Sequence, residues 1–205
     1  MNLSNLLARI LSIVLQPVFI PTYGFILLTI YDPVLSGLTL SVKSLIWLVA
    51  LLTTCLLPAS VIGIGLKTGM ISDTFISNRK QRPIPYIFTI LGYIICILWL
   101  SKFGLDLFYT APLVGAIIGL LIILPINYFW KISAHLSAFG GLCGGVFTFA
   151  FIHGTAPILS FIGLVLLSGV LGWARMELKA HTFGQVCCGW LNGFLCITIT
   201  WLLFL

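Results

Sequence analysis

Charge is what this sequence has least of. Only 7% of its 205 residues are Asp, Glu, Lys or Arg, against roughly 25% in an average soluble domain. That scarcity excludes an ordinary water-facing surface and leaves no room for a separate soluble domain. The four acidic residues, Asp32, Asp73, Asp106 and Glu177, are scattered, so no carboxylate metal site is expected. Six cysteines all lie in apolar segments without the paired spacing of a metal site, and read as small buried thiols. Internal repeats and low-complexity segments are missing too. The opening apolar stretch lacks the small-residue cleavage site of a secretory signal, so a retained first span is expected.

What is present is grease. Hydrophobic residues make up 60% of the chain, and a spanning helix takes about 20 mostly apolar residues. The expected fold is all-α: a polytopic membrane helix bundle of six or seven transmembrane helices, forming a single integral-membrane domain over 1–205. Hydropathy places spans near 6–31, 44–66, 84–101, 110–128, 134–152, 157–173 and 184–204. Pro17 and Pro21 predict a kinked or broken first span, because proline removes a backbone donor and crowds the preceding turn. Trp130, Trp173 and Trp190, near span ends, read as interfacial anchors. The glycines of "FGGLCGG" (139–145) predict close helix packing rather than a phosphate cradle. A multi-pass protein of a bacterial cytoplasmic membrane is expected, with the lipid bilayer as its surroundings and no nucleic-acid partner; the sequence says nothing of oligomeric state.

Ten basic residues outnumber the four acidic ones, for a formal net charge of +6. Alternating seven spans puts Arg9, Lys67, Arg79, Lys80, Arg82, Lys131, Arg175 and Lys179 on one face, and only Lys43 and Lys102 on the other. Such asymmetry is either a positive-inside topology signal or an anion site, and sequence leaves both open. Three polar motifs share the basic face: "NRKQRP" (78–83), "KISAH" (131–135) and "RMELKAH" (175–181) with Gln185.

That combination suits phosphate. Arginine's planar fork matches phosphoryl oxygens, and fixed cations stabilise charge moving among them; Arg82 and Arg175 are the natural clamps, with Arg79 or Lys131 as further cations. Histidine serves as nucleophile or acid near neutral pH, which singles out His135 and His181. Ser133 is a good N-cap for the helix beginning at 134, whose first amides suit an anion. Gln185, four residues after His181, shares a helix face with it if the stretch is helical. Arg175 and His181, six apart, lie about 240° round an ideal helix and converge only if it breaks. Glu177 and Lys179 read as solvated, and His153 on the other face as an interfacial or loop histidine.

These residues resemble the type 2 phosphatidic acid phosphatase superfamily of integral-membrane lipid phosphatases, over about residues 75–190. Arg82-Pro83 is similar to the family's Arg-Pro pair, Ser133 and His135 in "ISAH" to its Pro-Ser-Gly-His, and Arg175, Leu178 and His181 to its third motif. Departures accompany each match. Phe75 stands where a lysine is expected, leaving that phosphate contact to Arg79, Lys80 or Lys131. Ile132 and Ala134 replace proline and glycine. Gln185 replaces the usual aspartate, as is similar in the dolichyl diphosphatase branch. The resemblance implies a metal-independent hydrolase of a lipid phosphate or diphosphate, with polyprenyl diphosphates among the expected substrates. His181 would form a phosphohistidine and His135 would protonate the leaving oxygen, with no cofactor. Two rivals are a catalytically silent relative that binds or transports an anionic lipid, and an unrelated small transporter.

Overall fold

The computed structural model describes residues 2–154 and 157–204; Thr155 and Ala156 of the expected "IHGTAP" break lie outside the described residues. Among these, all regular structure is helical, and seven segments are long and apolar enough to cross a membrane: Leu3–Tyr31, Leu40–Lys67, Arg79–Lys102, Leu107–Phe129, Ala134–His153, Ile158–Glu177 and Phe183–Leu203. This is the architecture of a multi-pass membrane protein. Large apolar side chains such as Leu48, Leu98, Leu121, Leu166 and Leu191 face outward, as lipid contact requires.

The first segment is broken, as its prolines predict. Helix α1 (Leu3–Val14) ends before a tight turn at Pro17–Phe19, and α2 (Ile20–Tyr31) continues beyond it. The Tyr23 hydroxyl donates to the Val14 carbonyl at 3.1 Å, satisfying one acceptor that the break releases. α1 packs a narrow small and polar face, including Ala8 and Ser12, against the bundle and turns Leu6, Leu7, Ile10 and Ile13 outward. A short α3 (Pro33–Ser36) is capped by the Asp32 carboxylate, which accepts from the amides of Val34 and Leu35.

The second segment joins α4 (Leu40–Leu51) to α5 (Leu57–Lys67) through a π-helical turn at Leu52–Leu56. Pro58 has no amide to give the preceding turn, and the hydroxyls of Thr53 and Thr54 bond back to Val49 and Ala50. Then come α6 (Pro83–Lys102), α7 (Leu107–Phe129), α8 (Ala134–His153), α9 (Ile158–Glu177) and α10 (Phe183–Leu203). α8 is the hub: 67% of its apolar window is buried, against 28–39% in the others.

Glycine permits the closest approach, between α8 and α10. A Cβ on Gly193 would lie 1.7 Å from the Ser137 carbonyl oxygen, and one on Gly140 2.1 Å from that of Trp190, so backbone meets backbone there. The expectation of packing glycines holds for Gly140, Gly141 and Gly144, whereas Gly145 meets its neighbours only at ordinary contact distance. Trp190 differs from its expected role: its indole donates to Ser168 at 3.0 Å and stacks on Phe194 inside the bundle. The cysteines differ in part, since Cys55, Cys96 and Cys143 are buried while Cys188 is exposed.

Candidate phosphate site

α9 runs four residues past its expected end, so Arg175 is helical. The chain then reverses. Lys179 takes a left-handed conformation (φ 53°), its amide bonds to Met176 and that of Ala180 to Arg175, a Schellman closure usually built on glycine. The His181 amide also meets the Arg175 carbonyl, at 3.3 Å. This reversal resolves the six-residue spacing: His181 folds back over the end of the helix that carries Arg175. Glu177 is not simply solvated, because its carboxylate accepts from the Ser4 hydroxyl at 2.7 Å.

Gln185 reaches His181 by a different route from a shared helical face. His181 precedes the helix, Thr182 is its N-cap and Gln185 completes a capping box. The Gln185 side-chain oxygen accepts from the Thr182 amide at 3.1 Å and lies 3.2 Å from His181 Nδ1; the Lys131 carbonyl is 3.0 Å from the same nitrogen. Both neighbours are acceptors, so Nδ1 carries the proton and Nε2 keeps a lone pair. Burial, followed by the charges of Arg82, Arg175 and Lys131, lowers the His181 pKa to about 3. The ring is a neutral base whose Nε2 has no hydrogen-bond partner among the described residues.

Ser133 caps α8 through a long bond (3.4 Å) from the Leu136 amide, leaving the Ala134 and His135 amides without intrahelical acceptors. The Ser133 amide donates to the Gln185 carbonyl at 3.2 Å, tying the starts of α8 and α10 together. His135 is buried, and its Nε2 lies 3.2 Å from the Ser12 carbonyl. That contact puts the ring proton on Nε2 and turns Nδ1 away from α1. Neither partner was legible in sequence, since a backbone carbonyl leaves no compositional mark.

Two arginines share this space. Arg82 is buried, donating from Nε to the Ile76 carbonyl (3.0 Å) and from Nη1 to that of Ile132 (3.2 Å). Ile76 adopts φ 48° to present its carbonyl, an unfavourable backbone for a β-branched residue. Arg175 is only 2% exposed, and its Nε and Nη1 have no hydrogen-bond partner among the described residues. Phe75, found where a lysine was expected, lies beneath it, with the guanidinium carbon 5.3 Å from the ring centroid. Lys131 is near enough that burial and then the charges of Arg82 and Arg175 lower its pKa. Arg79 points elsewhere, donating to the Phe129 carbonyl. An acidic neighbour, Asp73, holds its own loop by accepting from the amides of Phe75 and Ser77.

An apolar cavity of about 200 Å³ leads from this cluster into the bundle. Arg82, His135 and His181 border one end; Tyr109, Phe149 and Trp201 border the other. His153 stands beyond that far end, 4.0 Å from Asp32 and with its ring 4.3 Å from that of Phe149.

The site therefore holds Arg82, Arg175, Lys131, His135, His181, Ser133 and Gln185 together and leaves Arg79 at its margin. Comparison of the chain with family models, with curated proteins and with solved structures gives no match, so the functional reading rests on this geometry and on the motifs of the sequence.

Proposed function

We propose that this protein is a membrane phosphatase that hydrolyses a lipid phosphate or diphosphate through a phosphohistidine on His181. The observation carrying the proposal is Arg175: a buried guanidinium with two unpartnered donors, beside Arg82 and Lys131. Buried charge without a partner is strongly unfavourable, and a phosphoryl group supplies the missing acceptors and opposite charge in a geometry that guanidinium matches. The resemblance to the type 2 phosphatidic acid phosphatase superfamily, including its core over about 75–190, is part of this reading, as is a bacterial cytoplasmic membrane as the location.

In the proposed reaction the His181 Nε2 lone pair attacks phosphorus and the bond to the leaving oxygen breaks. Lys131 and Gln185 hold the Nδ1 proton, which stabilises the ring as positive charge develops. Arg175 and Arg82 receive the equatorial oxygens, and Lys131 adds a third charge where the family's lysine is replaced by Phe75. His135 delivers a proton to the leaving oxygen. With Nε2 turned to Ser12, that proton leaves from Nδ1 of the imidazolium. Water then attacks the phosphorus of the phosphohistidine, the P–N bond breaks with its electron pair returning to His181 Nε2, and His135 takes the proton of the attacking water.

The same His135 contact favours a second reading, a silent relative that binds or carries an anionic lipid, because a neutral ring whose one proton, on Nε2, is donated to the Ser12 carbonyl has none to give. Phosphate release by purified protein separates the two. Polyprenyl diphosphates, phosphatidate and phosphatidylglycerol phosphate should be offered with EDTA present, beside His181→Ala. Release by the wild type alone, with acid-labile phosphate trapped on the protein, supports the phosphatase. Tight lipid binding without release from any substrate supports the carrier.

A further inference from the structure

We infer that the cavity is a ruler for a single hydrocarbon chain, with Phe149 and Trp201 as its floor, so that the protein selects its phosphate substrate by tail length. The inference rests on the phosphate-site reading above and names the part of the ligand that the site's cations do not see.

One face of α8 forms the wall. Descending from His135, it presents Ala138, Gly141 and Gly145, then Phe149. The small residues leave room over about two helical turns, with Leu142 and Val146 lining the space beside them and Phe149 at its lower end. At 1.5 Å per residue, His135 to Phe149 spans about 21 Å, some two thirds of a roughly 30 Å hydrocarbon core. A volume of about 200 Å³ spread over that depth makes a narrow channel, of a width for one hydrocarbon chain.

The floor is braced from behind. The Trp201 ring packs 5.5 Å from Phe108 and 6.4 Å from Phe149, both Trp201 and Phe149 are buried, and the His153 ring lies behind Phe149. Below them Asp32, capping α3, is held by the Tyr109 hydroxyl at 3.4 Å. A tail end arriving here meets aromatic rings in mutual contact. The cations at the other end give the occupant its polarity: phosphate up, chain down.

A carbon–carbon bond near 1.5 Å in a tetrahedral zigzag advances about 1.25 Å, so about 21 Å holds roughly 16 or 17 carbons. Gly145 lies ten residues below His135, about 15 Å, or roughly 12 carbons. A Cβ there would stand 3.7 Å from Trp201 and 3.9 Å from Ile197, ordinary contact, so a side chain can begin at this position, and the remaining carbons of Gly145→Leu would have to occupy the channel.

The test uses a stepped series of n-alkyl diphosphates, hexyl to eicosyl, for hydrolysis, and the matching n-alkyl phosphonates for thermal stabilisation of the detergent-purified protein. The expected wild-type response rises with length to about hexadecyl and falls at least tenfold beyond. Gly145→Leu should move the limit to about dodecyl with shorter chains unaffected, and Phe149→Leu should move it past hexadecyl. A folding defect lowers every length alike, so the opposed shifts are diagnostic. Stabilisation that obeys the limit without hydrolysis upholds the ruler and removes the phosphatase reading. Hydrolysis indifferent to length in wild type and Gly145→Leu overturns the ruler and keeps the phosphatase. Neither hydrolysis nor stabilisation overturns both.

Discussion

Replacing Arg175 by methionine separates a guanidinium that awaits an anion from one that holds the fold together. Its Nε and Nη1 have no partner among the described residues, and hydrogen bonds to a charged group contribute about 1.5–3 kcal/mol each. Two such bonds make about 3–6 kcal/mol of anion affinity, so Arg175→Met should weaken binding at least a hundredfold or so. In the ligand-free protein the sign reverses. Leaving a buried charge without its partner is destabilising by about 3–5 kcal/mol, of which the Phe75 ring returns about 0.5–2. The variant should therefore be more stable by about 1–4.5 kcal/mol, or several degrees at about 2–4 °C per kcal/mol for a chain of this size. Thermal melting with methylenediphosphonate, a non-hydrolysable anion, reads both effects. At a hundred times its Kd the ligand adds about 2.7 kcal/mol to the wild type, a rise of about 5–10 °C, and moves Arg175→Met by about 1 °C. A ligand-free variant that melts several degrees lower, with a wild type that the anion leaves unmoved, would refute the reasoning and make Arg175 a structural residue.

Other outcomes follow from the same geometry. His181 has a pKa near 3 when folded and about 6.5 unfolded, so below pH 6.5 the unfolded chain binds a proton that the folded one refuses. The His181 contribution to stability should thus be level above pH 6.5 and fall by up to about 1.4 kcal/mol per unit toward pH 3; the pH-dependent melting of His181→Gln should be less steep than that of the wild type by this amount. Lys179→Gly relieves a left-handed lysine at the Schellman turn and should add about 1 kcal/mol, seen as a rise in melting temperature with phosphate release unchanged. Gly193→Ala forces a methyl onto the Ser137 carbonyl and should destabilise by about 1–3 kcal/mol. It should also reduce activity, because α8 and α10 carry His135 and Gln185; Gly63→Ala, with open space around it, is the neutral control.

Hydropathy and proline are local signals, and what they determine was readable from the chain alone. The seven apolar stretches became seven membrane-length segments, the paired prolines broke the first of them, and the basic motifs of three connections met on one face. The spacing of Arg175 and His181 stated its own condition, a break in the helix, without supplying it. Supplying it took the turn at Lys179, a left-handed residue that no glycine announced. Contacts between distant parts of the chain decided the rest. The Ser12 carbonyl that orients His135 lies 123 residues from it, the Lys131 carbonyl that sets the His181 tautomer lies 50 residues away, and Phe75 under Arg175 fills the position of an expected cation. Backbone acceptors carry no residue identity, and a cavity is the space that side chains leave, so only the packed helices determined where the free nitrogen points, which arginine remains unpaired and how deep the apolar chamber runs.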